Sequence, residues 1–196
     1  MNDVIPELPL PRRMSVEELG AGDWLRLQRV TYLDHAGVER TWEAAGRRRH
    51  QGAVMILARL VPSGRIVMVQ QYRPPSDAQV LEFPAGLIDP EEDPKVTAVR
   101  ELKEETGYSG TLRWFSRQCL NSPGMSGEHF YSAVIDVDET LPENQKPTTD
   151  WDEMENIQTF CIAPKDAPAF LREREAFGVI LDGKVVAYFL ALGMTW

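Results

Sequence analysis

Cysteine is nearly absent from this 196-residue chain, and the two present, Cys119 and Cys161, sit in neither a CxxC nor a Cys/His spacing. A disulfide framework and a thiolate metal centre are both excluded, and the thiols are read as reduced and buried. Histidine is equally sparse. His35, His50 and His129 are scattered singly and take no role, and neither does Cys119, because none has a nucleophile–base partner spacing. No long apolar run exists, the longest being Val185–Leu192, and Met1–Arg13 lacks a basic start followed by an apolar stretch. The expectation is a cytoplasmic protein that neither spans nor binds a membrane. Basic residues are outnumbered, 21 against 30 acidic, for a net charge of −9, which argues against a broad nucleic-acid surface. Repeats and Gly/Ser linkers are missing too.

What is present suffices for a core. Apolar residues make up 43% and charged residues 26%, the balance of a globular domain rather than a disordered chain. The length fits one domain with an appendage, divided as residues 1–50 and 51–196. Pro6, Pro9 and Pro11 mark an extended arm. Trp24–Leu33 and Val38–Ala45 then read as a hairpin around Asp34-His35-Ala36-Gly37, followed by the basic run Arg47-Arg48-Arg49. Ala53–Leu60 and Arg65–Tyr72 read as a central hairpin about Pro62-Ser63-Gly64. Leu112–Leu120, Phe130–Val137 and Ile157–Ile162 read as further strands, and Pro142–Asp150 as a polar loop. Helices are expected near Asp166–Ala176 and Lys184–Leu192, the latter capped by Asp182. The pattern predicts a mixed sheet between helices, an α+β (α/β) class.

The best-bounded element lies between. Asp93-Pro94 supplies a cap and a first-turn proline, and Gly107 a stop four turns on. At 100° per residue, Glu101, Glu104 and Glu105 share a sector while Val99 and Leu102 point away. Acids so placed repel: at about 6 Å and an effective dielectric near 20, each pair costs roughly 3 kcal/mol before screening. They also oppose the helix dipole. A hard dication such as Mg²⁺ would offset both. A solvated face stapled by Arg100 and Glu104 is the plain alternative.

Spacing decides between them. Gly86, Glu92, Arg100-Glu101, Glu104-Glu105 and Gly107 stand at the intervals of the Nudix box, and on these residues the chain resembles the Nudix hydrolases. Only Tyr108 departs, where the pattern prefers an aliphatic residue. Gln71-Tyr72-Arg73-Pro74-Pro75, Glu82–Ile88 and Ser122-Pro123-Gly124, with Pro123 15 residues beyond Tyr108, are similar to segments of the ADP-ribose/ADP-sugar pyrophosphatases. The resemblance implies an α/β/α sandwich with an amino-terminal hairpin subdomain used in dimerisation. It implies hydrolysis of an ADP-sugar, a small nucleoside diphosphate derivative, to AMP and a sugar phosphate, with Mg²⁺, or Mn²⁺ in its place. Glu101, Glu104, Glu105 and the Ala85 carbonyl would hold metal, and Glu92 and Arg100 would keep the loop and helix in shape. Arg73 would contact the diphosphate, Glu82 the metal or ribose, and Leu87 the substrate. Glu153, or Glu155 beside it, would be the base. Trp24 and Trp42 would grip adenine across a homodimer, with Arg47 adjacent. Hydrolysis of GDP-mannose or an oxidised nucleotide, or a silent nucleotide-sensing module, are the alternatives.

Overall fold

The structure is a computed structural model that describes residues 9–49, 52–151 and 156–194. The described residues of Met1–Gln51 with Leu120–His129 form one compact unit, and those of Gly52–Cys119 with Phe130–Trp196 form another. The segment around Pro123 thus goes with the amino-terminal strands, whereas its place in the chain puts it with residues 51–196.

In the first unit β1 (Arg12–Ala21), β2 (Leu25–Leu33) and β3 (Glu39–Arg47) form an antiparallel sheet in that order. The expected hairpin is β2–β3. Its turn is organised by Asp34, whose carboxylate accepts from the Ala36 and Val38 amides at 2.9 Å and from Arg40 at 3.0 Å. Those donors hold the Asp34 carboxyl below its ordinary range, the Val38 amide contributing most. Gly37 follows at φ +75°, a conformation glycine adopts freely. β1 is an addition: it is almost wholly exposed and its register with β2 shifts twice, so it carries no clean alternation to read. Residues 120–129 are tied to β3 by the Ala45 amide to the Met125 carbonyl (2.8 Å) and by an Arg47–Glu128 ion pair.

The second unit contains β4 (Ala53–Val61), β5 (Ile66–Arg73), β6 (Ala78–Glu82), β7 (Ala85–Leu87), α1 (Pro94–Thr106), β8 (Thr111–Phe115), and, apart from Leu120 and His129, β9 (Cys119–Leu120) and β10 (His129–Asp138). After these come α2 (Pro142–Gln145), β11 (Gln158–Ile162), α3 (Ala167–Ala176), β12 (Ile180–Leu181) and α4 (Gly183–Ala191). The sheet runs β12-β6-β5-β4-β10-β8, with β11 on β5, β7 on β4 and β9 on β10. β10 is parallel to β4 and the neighbours of β5 are antiparallel, so the sheet is mixed.

β4 and β5 form the expected antiparallel hairpin, with only a short stretch of pairing. They pair at Arg59↔Ile66 and then part, because β4 is taken up by β10 along one side and by β7 on the other, while β5 pairs with β6 and β11. The division opens the sheet beside β7, where the chain turns into α1.

Two apolar clusters form. Val54, Ile56, Val67, Ile135 and others pack with Ala98 and Leu102 of α1. Met68, Leu81 and Phe83 pack with Leu171 of α3 and Val185 and Phe189 of α4. Along β5 the side chains alternate between the two, Val67 into the first and Ile66 and Met68 into the second, so helices cover both faces of the sheet. Asp182 caps α4 by accepting from the Lys184 amide at 2.7 Å. Among the described residues no helix is long and apolar enough to cross a membrane.

Candidate active site

Helix α1 starts where the sequence indicates: Asp93 accepts from the Lys95 amide at 2.8 Å, Pro94 is the first helical residue, and Gly107 closes the last turn at φ +75°. Its orientation is set by Ala98 and Leu102, both fully buried. This corrects the expected helical sides. Val99 is exposed rather than opposed to solvent with Leu102, and Glu105 is not on an open face: only 5% of it is accessible. The acids Glu101 and Glu105 turn inward beside the buried stripe toward β7, and Glu104 stands further out, 39% exposed.

β7 comes close enough to matter. The Ala85 amide donates to Glu105 at 3.1 Å, and a Cβ on Gly86 would lie 1.8 Å from the Glu101 carboxylate carbon. Glycine at 86 is therefore required by a neighbour's carboxylate, not by a turn.

One guanidinium organises the rest. Arg100 grips Glu92 with two bonds (3.0 and 2.9 Å), and also donates to Glu101 (2.9 Å) and Glu104 (2.8 Å). It also reaches the Leu87 carbonyl at 3.5 Å and Asp89 at 3.9 Å. Thr97, buried on the helix, donates to Glu92 at 2.7 Å. Arg100, aided by Thr97, pulls the Glu92 carboxyl down to about 2, and the acids around it raise the Arg100 value further still. Glu92 and Arg100 are thus bonded to each other across the loop and the helix. Thr97 was not foreseen; a threonine five residues after Glu92 in the first turn was the available signal. On the adjoining strands Arg73 pairs with Glu82 at 2.8 Å.

Glu105 has the opposite environment from Glu92. Burial, then the Glu101 charge, pushes its carboxyl up to about 8; Glu82 adds to this, and the Ala85 amide and Arg73 only partly oppose it. Five carboxylates, Glu82, Glu92, Glu101, Glu104 and Glu105, share two guanidiniums. The excess negative charge and all-oxygen donor set fit a hard divalent cation. Among the described residues no three acidic, histidine or cysteine groups already converge as a ligand set, because Arg100 draws Glu101 and Glu104 to itself.

Arg73, Glu82, Ala85, Leu87, Arg100, Glu101, Glu104 and Glu105 all belong to the second unit, whereas Trp24, Trp42 and Arg47 belong to the first. Glu153 and Glu155 lie outside the described residues. The two indoles are not neighbours within a chain. Trp24 bonds through its carbonyl to the Arg48 amide, and Trp42 pairs with Val30, so six residues of strand, about 20 Å, separate them. Both are half-exposed. Trp42 donates to the Gly124 carbonyl at 2.9 Å, and Arg49 lies 5.3 Å from the centre of the Trp24 ring. The basic triplet is accordingly engaged rather than a bare surface run: Arg47 holds Glu128, and Arg48 the Gly22 carbonyl at 2.8 Å.

The sheet, the box helix and the framed carboxylates agree with the family matches: the chain belongs to the Nudix family, whose NUDIX domain model matches residues 49–180. Two relatives place it within that family. It is 36% identical over 178 residues to the ADP-ribose pyrophosphatase of Saccharomyces cerevisiae, covering 87% of this chain and 77% of that one. It is 34% identical over 189 residues to the ADP-sugar pyrophosphatase of Mus musculus, covering 91% and 85%. A crystal structure of an ADP compounds hydrolase shares the fold, with a TM-score of 0.63 at 24% identity over 82% of this chain and 83% of that one.

Proposed function

We propose that this chain is a Mg²⁺-dependent hydrolase that cleaves the diphosphate of ADP-ribose, or a related ADP-sugar, to AMP and a sugar phosphate. The relatives carry the substrate class by their names, ADP-ribose pyrophosphatase and ADP-sugar pyrophosphatase. The observation that carries the chemistry is the buried Glu105 beside Glu101, a negative pair with one backbone amide and a shared guanidinium to balance it. Divalent metal is general among Nudix ADP-ribose pyrophosphatases, and Mg²⁺ is the ion we assign here, with Mn²⁺ as a substitute.

When bound, the ion supplies charge neutralisation at the diphosphate and a water made nucleophilic near neutral pH. Glu101, Glu104, Glu105 and the Ala85 carbonyl would hold it. Arg100 keeps Glu101 and Glu104 oriented from behind, and Glu92 and Thr97 keep Arg100 in place. Arg73 offers a guanidinium to the diphosphate, with Glu82 setting its direction, and Leu87 lies by the substrate. Glu153, or Glu155 in its place, removes the proton from the attacking water.

The reading includes a cytoplasmic homodimer. Two half-exposed indoles about 20 Å apart in one chain cannot enclose one adenine ring, but Trp24 of one copy and Trp42 of another can. Trp24→Ala and Trp42→Ala are each expected to raise KM for ADP-ribose about tenfold with kcat within twofold, as loss of one stacking face implies. Coexpressing the two variants should restore tight binding at half the sites of the mixed dimer. Unchanged KM would assign both rings to packing alone.

A panel of nucleoside diphosphate sugars assayed for phosphate products tests the substrate class. The highest kcat/KM is expected for an ADP-sugar; a preference for GDP-mannose or an oxidised nucleotide would contradict it.

A further inference from the structure

An α-helix leaves its last carbonyls without intrahelical donors. In α1 these belong to the proposed ligand residues themselves. The Lys103 carbonyl is served locally by the Gly107 amide at 2.9 Å. The next two are served from outside: the Glu104 carbonyl accepts from the Asp150 amide, and the Glu105 carbonyl accepts from the Trp151 indole N–H, both at 3.0 Å. The same strap is seated on Gly107, where a Cβ would stand 2.5 Å from the Thr148 nitrogen.

Resting on the hydrolase reading above, we propose that Trp151 is a positioning residue: its indole N–H caps the Glu105 carbonyl and fixes the turn that carries Glu104 and Glu105. The electrostatics explain why a cap is needed there. Acids in a helix's last turn oppose the dipole, and each carbonyl left bare adds negative charge beside them. Donors on the Glu104 and Glu105 carbonyls offset that charge without consuming a carboxylate oxygen. Glu105 is thereby clamped at two points, its side chain by the Ala85 amide and its backbone by Trp151. Trp151 is 38% exposed, so its ring is a minor contributor to the core and its N–H is what distinguishes it from other aromatics.

The test uses the purified full chain with Trp151→Phe, and a second variant carrying 3-benzothienylalanine at 151, which keeps the bicyclic shape and loses only the donor. Mn²⁺ binding without substrate, kcat and KM for ADP-ribose, and thermal melting are measured. Loss of one hydrogen bond should weaken Mn²⁺ binding about five- to tenfold and lower kcat by a similar factor, with KM within twofold, in both variants. Wild-type Mn²⁺ affinity and kcat in the benzothienyl protein, even with a lowered melting temperature, would overturn the proposal and leave a merely structural indole. A fall in kcat with Mn²⁺ affinity unchanged would overturn it too. A wild-type chain that binds no Mn²⁺ and releases no AMP overturns the hydrolase reading first, and this proposal with it.

Discussion

Replacing Glu105 by Gln is expected to reduce AMP release from ADP-ribose by on the order of a thousandfold or more while making the metal-free protein more stable. Glutamine keeps the acceptor for the Ala85 amide but cannot carry the charge that a dication requires. The stability change follows from the raised carboxyl. Glu105 titrates near 8 in the fold, whereas in the unfolded chain an ordinary glutamate titrates near 4.3. As pH rises from that unfolded value toward 8, the unfolded state ionises first and is increasingly favoured, so the native side chain costs stability across that window and costs it in full above. Glutamine is spared this. The metal-free variant should equal wild type near pH 4 and exceed it by about 5 kcal/mol at pH 8.5. Thermal melts at both pH values check the second half, and AMP release checks the first. An inactive variant with no gain in stability would mean that Glu105 is not penalised by burial. An active one would remove it from the ligand set.

The second large effect is Gly86→Ala. The added methyl occupies the position of the Glu101 carboxylate, 1.8 to 2.3 Å from its three terminal atoms. Those atoms end a flexible side chain, so the carboxylate can move aside and the fold should lose little, about 1 kcal/mol or less. The site loses far more, because Glu101 is driven from the place where Arg100 and β7 hold it. A fall in kcat of about a hundredfold or more is expected, with a melting temperature within a few degrees of wild type. The double variant Gly86→Ala/Glu101→Ala should be no worse than Glu101→Ala alone, since both changes remove the same group. Additive losses would show that Gly86 acts through something other than Glu101.

Much of this arrangement was legible because its signals are local. Asp93-Pro94 and Gly107 bound α1 by capping chemistry that needs no partner, and the resemblance to the Nudix box implied that Glu92 and Arg100, which the structure bonds together, belong to one arrangement. The side of the helix that faces inward was misjudged at Val99 and Glu105. A wheel sorts residues by polarity, and this helix buries a glutamate beside Ala98 and Leu102 while leaving Val96 and Val99 exposed. Sites are where such conflicts are expected. The β4–β5 hairpin forms, but the extent of its pairing was not legible: the two strands join at Arg59↔Ile66, while β10, far along the chain, pairs with β4 over its whole length. Long-range parallel pairing leaves no local signature. β7 has three residues and β12 two, too short to show a period. Nor does pattern reveal that Trp24 and Trp42 stand six residues apart along a ladder, a matter of register.

The account turns on whether the crowded carboxylates of α1 exist to hold a dication. A titration of Mg²⁺ into purified, metal-stripped chain with saturating ADP-ribose, following AMP and ribose 5-phosphate, measures this directly. Turnover should be absent without the ion, rise to saturation with it, and be missing in Glu105→Gln at every concentration; equal turnover with and without Mg²⁺ would contradict it.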